Sequence, residues 1–337
     1  MNSILHLSSI YLLSPYFSIA DTVRYLRQHF VPDPLEDFEL NVNDDQPHPL
    51  DEMLESPQPE YYGGGSIYWT LIERLIKRGM LKDAWAVLSK HSACRSCTRD
   101  TTNMKHLGPE YEEEIEQARK GFSHLYALLH SAPIPGGHTA DFDMTYGNKN
   151  KNSNIIEDDL EGSILLDGVP SSSYKYWDHE ESCPAAYSHW MTWNTAVHSA
   201  CVNGIDGGLH RRIPQLIPSV ISILSGQKQR QPLQNSNSQI WADALLEEIL
   251  YARPNMNLSD VCIRANTAMR NYRKNNGDNQ GSSYENIVIS IMRGDAGRAI
   301  EATHILGGGS GAALPSTMVR STISCRFVIS YLFSFHQ

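Results

Sequence analysis

The chain has 337 residues, of which 41% are apolar and 20% are charged, so a real core can form and wholesale disorder is excluded. Its formal net charge of −10 argues against direct binding of nucleic acid, which requires Lys and Arg concentrated on one face. The six cysteines follow no regular framework, which is typical of a reducing compartment.

Residues 1–31 are predicted to form N-terminal helices, with an amphipathic helix over residues 20–31. The apolar stretch before this helix ends in Ser18-Ile19-Ala20, which resembles a signal-peptide cleavage site. A secretory signal is therefore the alternative to a first helix, although the positively charged region that should precede it is absent. No apolar run approaches eighteen residues in length, so a membrane-spanning helix is not predicted.

Residues 32–65 are predicted to be an acidic linker rich in Pro and Gly, because they show no helical or strand periodicity. Ser66 follows three consecutive glycines and is predicted to cap the next helix.

A helix-turn-helix pattern occurs twice, at residues 68–92 and 284–306. Each copy has Arg-Gly at the turn, Ile seven and three positions before the Gly, and Ala five positions after it. Gly79 and Gly294 are the predicted turn residues because Gly readily adopts the left-handed conformation that ends a helix. Ala84 and Ala299 are the predicted small packing residues. Since a helical pair cannot bury its apolar face alone, repeated pairs predict a stack, an α-solenoid.

The chain as a whole is predicted to be all-α, because no series of short alternating runs with hairpin signals occurs. The predicted regions are the first solenoid helices over residues 66–131, a disordered insertion over 132–178, the continuing solenoid over 179–306 and an atypical tail over 307–337. Trp69 and Trp241 lie at helical core spacing and are predicted to pack rather than to bind a ligand. Asn257, in the sequon Asn-Leu-Ser, is predicted to cap a helix rather than to carry a glycan.

Cys94 and Cys97, with His91 before them and His106 after them, form a partial zinc-binding pattern. A structural zinc site needs four ligands, and no second close pair follows at the required spacing. The pattern therefore predicts a loop with two incidental thiols, whose joint replacement by Ser changes little.

Ser310, between Gly309 and Gly311, nearly matches the nucleophile turn of a hydrolase. That turn needs a strand before the Ser, whereas a helix is predicted there. The acidic runs at residues 112–114 and 158–159 are predicted to be solvated faces. Hence no catalytic, cofactor-binding or metal-binding residue is predicted, and the protein is predicted not to be an enzyme. A hydrolase using Ser310 and a zinc protein using Cys94 and Cys97 remain the rival hypotheses.

Several islands between about residue 20 and residue 306 resemble the scaffold nucleoporins of the eighty-five-kilodalton class. They are Tyr68-Trp69 with Leu75, Gly79, Ala84 and Leu88, then Trp190 and Trp193, then Trp241 to Pro254, then Glu285 to Ile300. The order and spacing of these islands carry the resemblance, because individual solenoid helices are alike.

This resemblance implies a helical stack of the ancestral coatomer type and a structural role in the Y-shaped subcomplex of the nuclear pore, at the nuclear envelope. It implies support of nucleocytoplasmic transport of protein and messenger RNA, without a cofactor. The implied partners are other Y-complex nucleoporins and a small β-propeller protein related to Sec-thirteen. Family members add N-terminal strands to that propeller, whereas this chain begins with predicted helices. The alternative is a coatomer-like or generic helical-repeat adaptor in another protein assembly.

The pair at residues 284–306 has no recognisable successor in the sequence. Its outer face is therefore expected to be bare, and an exposed apolar patch of more than a few hundred Å² favours self-association.

Overall fold

The structure is a computed structural model, and it describes residues 6–13, 16–30, 49–98, 109–136, 177, 183–226, 240–276, 283–295, 297–299 and 302. In chain order, its α-helices are α1 (Ile19–Phe30), α2 (Pro49–Glu55), α3 (Ser66–Lys77), α4 (Leu81–Leu88), α5 (Ser92–Thr98), α6 (Pro109–His130), α7 (Cys183–Asn203), α8 (Leu209–Arg212), α9 (Ser222–Leu224), α10 (Trp241–Glu247), α11 (Leu258–Asn276) and α12 (Ser283–Met292). Over these residues the secondary structure is helical, without strands, which confirms the predicted all-α class.

Shorter helical turns complete the described structure. A π-helical turn comprises Ser9–Leu13, a second, Ile217–Ile221, leads into α9, and a third, Glu248–Ala252, continues α10. Two turns of 3-10 helix comprise Pro59–Gly64 and Asp206–Gly208.

The chain divides into two compact units. The first comprises Met1–Phe30, Asn235–Leu245 and Met256–Gln337, and the second comprises Val31–Gln234 and Leu246–Asn255. The region boundaries given by the sequence patterns stay predictions.

In the first unit, α1 was predicted over residues 20–31 and is observed at Ile19–Phe30. Its buried residues include Ile19, Val23 and Leu26, which recur every three or four positions and so form one apolar face. The Ala20 that resembled a cleavage site is buried in this helix. Burial of this continuous apolar face accounts for the helix.

A second feature of the first unit is the pair formed by α11 and α12. The side chain of Asn257 accepts a hydrogen bond from the Asp260 amide at the start of α11 (2.9 Å), which confirms the predicted cap. The two helices are joined by the Sγ of Cys262, which donates to the Met292 carbonyl (2.6 Å).

In the second unit, α3 and α4 form the first predicted helical pair, and α6 is a further helix within the region predicted for the first solenoid helices, residues 66–131. One face of α3 buries its apolar side chains, at positions spaced by one, three and four: Tyr68, Leu71, Ile72, Leu75 and Ile76. This face includes Ile72 and Ile76, the two Ile positions that the repeated sequence pattern singled out.

Part of the predicted linker is helical, which corrects the sequence-based expectation of a loop over residues 49–64. Leu50 and Met53 of α2 are buried, and the Arg95 guanidinium donates to the carbonyl oxygens of Leu54 (2.9 Å) and Ser56 (2.7 Å). This arginine satisfies carbonyl groups that the end of so short a helix leaves without partners. The contact spans about forty residues of sequence, so local periodicity could not reveal it.

The predicted cap at Ser66 is wrong, because Gly65 occupies the capping position and Ser66 is the first residue of α3. Gly65 has φ 81°, and its amide donates to the Tyr62 carbonyl (2.9 Å). The left-handed glycine turns the chain from the 3-10 helix into α3 without a side-chain cap.

Of the predicted insertion over residues 132–178, the structure describes residues 132–136 and Trp177, which is buried. The rest of the insertion and the tail from residue 307 lie outside the described residues. None of the described helices is long and apolar enough to cross a membrane.

Candidate functional site: the helical turns and their packing residues

The turn between α3 and α4 is closed by two backbone hydrogen bonds. The Met80 amide donates to the Leu75 carbonyl, and the Gly79 amide donates to the Ile76 carbonyl, both at 2.8 Å. Gly79 has φ 70°, the left-handed conformation in which this pair of bonds ends a helix. The turn is a Schellman motif centred on the glycine that the sequence singled out.

The turn after α12 repeats this geometry residue for residue. The Asp295 amide donates to the Ser290 carbonyl and the Gly294 amide donates to the Ile291 carbonyl, both at 2.9 Å. Gly294 has φ 71°. Two segments more than two hundred residues apart thus have one backbone conformation at the turn.

The alanine that follows each glycine by five positions also has an equivalent place in both turns. The Ala84 amide donates to the Met80 carbonyl (2.9 Å), and the Ala299 amide donates to the Asp295 carbonyl (3.0 Å). Both alanines are buried. Each therefore lies in the first helical turn after the glycine, where a small side chain lets the second helix lie close to its neighbours.

The two tryptophans selected from the sequence differ in burial. Trp69 is half-buried on α3. Its ring lies edge-on to the ring of Tyr68, with centroids 5.3 Å apart, and tilted against the ring of His91, with centroids 6.0 Å apart. Trp241 is buried at the start of α10 and contacts the ring of Phe30 edge-on (4.8 Å). Such offset aromatic contacts add to the free energy of packing.

A feature that the sequence did not reveal is a set of aromatic donors, all in the second unit. Five buried side chains donate hydrogen bonds to distant backbone carbonyl groups: Tyr68 to Val87 (3.2 Å), Trp177 to Pro133 (2.7 Å), Trp190 to Leu250 (3.0 Å), Trp193 to Leu128 (2.7 Å) and Tyr251 to Ile76 (2.5 Å).

Four of these acceptors lie in the last turn of a helix or of its π-helical continuation, where carbonyl groups lack an intrahelical donor. The aromatic donors therefore cap helix ends from other helices. A buried indole N–H or phenol O–H needs a hydrogen-bond partner. Tyr and Trp at core spacing in the sequence therefore indicate that such bonds exist. The acceptor of each bond could not be predicted from the sequence, because donor and acceptor are 19 to 175 residues apart.

Helix α7 contributes two of these donors. Trp190 reaches the end of the π-helical turn after α10, while Trp193 reaches the end of α6. The indoles are three residues apart and so lie on one side of α7, the side that faces these two helix ends. Helix α7 thus connects helices that come before and after it in the sequence.

Cys94 and Cys97 lie in α5 and are buried, which corrects the predicted loop. Burial raises the pKa of Cys94 to about 12 and also raises that of Cys97, so both thiols stay protonated near neutral pH. A protonated thiol is a poor nucleophile and a poor metal ligand. Within the described residues, no group of three or more His, Cys, Asp or Glu side chains is placed to hold a metal ion, and His106 lies outside them.

Helix α5 begins at an acidic residue from a distant segment. Glu60 accepts hydrogen bonds from the amide of Ser92 (3.2 Å) and from its hydroxyl group. His91 Nδ1 lies 3.8 Å from this carboxylate and accepts from the Ala93 amide (3.1 Å). Burial lowers the pKa of His91, against the opposing effect of Glu60.

The Ser, His and Glu of this cluster do not form a catalytic relay. The Ser92 hydroxyl donates to Glu60, and the imidazole Nδ1 of His91 accepts a hydrogen bond from the backbone amide of Ala93. A nucleophilic serine needs its proton directed to the base. The cluster is therefore a helix cap that joins residue 60 to α5.

The remaining candidates carry no chemistry in the described part of the chain. The acidic residues 112–114 are exposed on α6, as expected for a solvated face. Ser310 with its neighbouring glycines, and residues 158–159, lie outside the described residues.

Comparison with known proteins gives one match. The family model for the Nup85 nucleoporins matches residues 163–314. This stretch contains α7 to α12, and with them Trp190, Trp193, Trp241 and the Gly294 turn. No curated protein and no solved structure matches the chain.

The match agrees with the resemblance drawn from the sequence islands, and it covers the helices that carry most of the aromatic donors. We conclude that residues 163–314 match the Nup85 nucleoporin domain, and that the proteins of this family are structural, non-enzymatic components of the nuclear pore complex.

Proposed function

We propose that this chain is a scaffold component of the Y-shaped subcomplex of the nuclear pore and supports nucleocytoplasmic transport of protein and messenger RNA by architecture alone. The observation that carries the proposal is the Nup85 nucleoporin match over residues 163–314. The all-helical structure of the described residues agrees with such a role.

The proposed architecture is an α-solenoid, in which residues 66–131 and 179–306 contribute successive helical pairs. Its support is the recurrence of one turn geometry at Gly79 and Gly294, each followed by a buried alanine at the same distance. Repeats of this kind stack because each pair leaves an apolar face for its neighbour. In this proposal Gly79 and Gly294 set the turns, while Ala84 and Ala299 permit close packing.

Rigidity is the property that a scaffold requires, and the aromatic donors supply it. Four of them fix a helix end to another helical segment through a buried hydrogen bond. A buried donor or acceptor left without its partner costs about 1–3 kcal/mol, so these contacts favour one arrangement of the helices over others.

The proposed partners are other nucleoporins of the Y-shaped subcomplex and a small β-propeller protein related to Sec-thirteen. The alternative is a coatomer-like or generic helical-repeat adaptor. Affinity purification of the tagged chain separates the two: recovery of Y-complex nucleoporins supports the proposal, whereas recovery of vesicle-coat subunits without them supports the alternative.

Two variants in α7 provide a matched test of the cellular role. Trp193→Ala removes a buried indole and its bond to the Leu128 carbonyl, whereas Met191→Ala changes a side chain that is 46% exposed on the same helix. We expect the wild-type chain and Met191→Ala to decorate the nuclear rim in puncta, and Trp193→Ala to lose this pattern. A diffuse wild-type chain would contradict the proposal.

The transport role is tested by replacing the endogenous protein with the same two variants. Nuclear retention of polyadenylated RNA and slowed import of a protein reporter are expected with Trp193→Ala and not with Met191→Ala. Normal transport of RNA and protein in cells that lack the protein would contradict the proposed transport role.

A further inference from the structure

One face of α11 is exposed along its length. Its residues are Asp260, Ile263, Thr267, Arg270 and Lys274, which we call the α11 seam. They are spaced by three, four, three and four positions, the spacing of a helix that packs lengthwise against another helix.

The other side of α11 is already used. Val261, Ala265 and Met269 are buried, and Arg273 forms an ion pair with Glu285 of α12, with Nε to Oε2 at 2.8 Å. Because α12 occupies this side, the seam points away from the helix pair.

The seam has an uneven distribution of charge. Asp260 lies at its N-terminal end, whereas Arg270 and Lys274 lie at its C-terminal end. Among the described residues, none of these three side chains forms an ion pair.

The centre of the seam is apolar. Ile263 is 58% exposed, and the Thr267 hydroxyl donates to the Ile263 carbonyl (2.8 Å). Since that hydrogen bond is made within the helix, Thr267 does not need an external partner for its hydroxyl. The seam thus consists of an uncharged centre between an acidic end and a basic end.

We propose that the α11 seam binds the same seam of a second copy of this chain, with the two helices antiparallel. The seam alternates between two kinds of heptad position: Asp260, Thr267 and Lys274 occupy one kind, and Ile263 and Arg270 occupy the other. In an antiparallel helix pair, each position of one kind faces a position of the other kind on the second helix. A two-fold axis near the level of Ala265 then sets Ile263 against Thr267 of the second copy, and Asp260 against Arg270 of the second copy. By symmetry each contact occurs twice.

Charge complementarity selects a second copy as the occupant. The antiparallel arrangement brings the acidic N-terminal end of each helix to the basic C-terminal end of the other, in the sense that the helix dipoles also favour. An anionic surface such as nucleic acid or lipid would meet Asp260 and a chain with a net charge of −10. The proposal goes beyond the scaffold role and does not depend on it.

The contact is small, since one helix pair buries less than the roughly 1,200–2,000 Å² of a stable complex. We therefore expect weak association, with a Kd on the order of 100 µM. Exposed ion pairs contribute modestly, so reversing one charge of both symmetric pairs should weaken association by about tenfold or more.

The test uses sedimentation of the purified full-length chain between about 10 and 300 µM, a range chosen around the expected Kd. The variants are Asp260→Arg and Arg270→Asp, each of which sets like charges opposite each other in both symmetric contacts. Both positions are exposed, so each variant should fold with the helix content of the wild-type chain, and circular dichroism and thermal unfolding serve as the folding control. A small loss of stability is expected for Asp260→Arg, because it places a cation in the first turn of α11.

The proposal predicts that the wild-type chain associates reversibly, that each variant alone associates at least about tenfold more weakly, and that an equimolar mixture of the two variants associates as the wild type does. The mixture restores both opposite-charge pairs, and the variant carrying both substitutions should associate as the wild-type chain does. A monomeric wild-type chain, variants that associate as strongly as the wild type, or a mixture that associates no more strongly than either variant alone would each overturn it.

Affinity purification with the same two variants tests whether a different protein binds the seam. If either variant loses a pore-complex protein in affinity purification while self-association is unchanged, the occupant is that protein and the proposal is wrong.

Discussion

The two Arg-Gly turns have the same backbone hydrogen bonds and different surroundings. At the first turn, Arg78 is 1% exposed and Gly79 and Met80 are buried, whereas at the second turn Arg293 and Gly294 are exposed. A short sequence pattern therefore fixes how the chain turns and leaves open how much free energy the turn contributes to stability.

The difference extends to the position four residues after each glycine. Asp83 is buried on α4, with one carboxylate oxygen that has no hydrogen bond among the described residues. Its counterpart, Arg298, is exposed and lies 3.3 Å from the Asp295 carboxylate. Equivalent positions in a repeat thus carry a buried acid in one copy and a solvated base in the other.

The largest expected effect separates the two arginines. Arg78→Ala removes a large buried side chain, and the resulting cavity and lost packing should lower the free energy of unfolding by about 3 kcal/mol. Arg293→Ala, at the exposed equivalent position, should change it by less than about 0.5 kcal/mol. Urea denaturation of the two variants measures this directly. Equal effects would show that the two turns contribute equally to stability.

A second test uses pH. Burial raises the pKa of Asp83 from 3.8 to about 6, so the folded state binds a proton before the unfolded state as the pH falls. The free energy of unfolding should therefore rise from this group as pH decreases from about 6 to about 4. Asp83→Asn removes the buried charge and should stabilise the chain at pH 8 by up to about 2 kcal/mol, with little effect at pH 4.

Arg298→Gln is the matched control for this prediction, because the equivalent residue is exposed. Its effect should be small and should not vary between pH 4 and pH 8 beyond that of the wild-type chain. Stabilisation by Asp83→Asn at pH 4 as large as at pH 8 would contradict the assignment of the effect to ionisation.

The burial around the first turn continues into α5, where Cys94 is fully buried. Cys94→Ser places a hydroxyl group in an apolar site and should cost about 1–2 kcal/mol in the free energy of unfolding. Cys183→Ser, at a half-buried position on α7, should cost less. This prediction replaces the sequence-based expectation of a negligible effect, and thermal unfolding of both variants decides between them.

The smallest effect concerns the turn glycines themselves. An added Cβ at Gly294 would meet no atom within 4 Å, so Gly294→Ala tests the left-handed backbone alone and should cost about 1 kcal/mol. Gly294→Asn should cost less, since Asn tolerates this conformation. Gly79→Ala should cost at least as much as Gly294→Ala, because that site is also buried. An effect of Asn equal to that of Ala would argue against backbone strain as the cause.

The features predicted well from the sequence are those that depend on neighbouring residues. Helices α1, α3, α4 and α6 follow from three-four apolar spacing, and the left-handed conformation of the two turns follows from a glycine after an apolar helical stripe. Their hydrogen bonds join residues three to five apart, so the pattern contains both partners.

The predictions that failed depend on residues far apart in the chain. Cys94 and Cys97 lie in a helix that Glu60 caps, and the end of the helix at residues 49–55 receives donors from Arg95, at the Leu54 and Ser56 carbonyl groups. In both cases the stabilising group comes from more than thirty residues away.

By itself, the sequence of this protein determined the helical class, the two glycine turns and the resemblance to pore scaffold proteins, because each is encoded in local spacing and residue order. The tertiary structure alone decided which equivalent residues are buried, which helix ends receive an indole or phenol donor, and which face of α11 remains exposed. The physical reason is that burial and long-range hydrogen bonds depend on the packing of distant segments, whereas helix formation and turn geometry depend on neighbours along the chain.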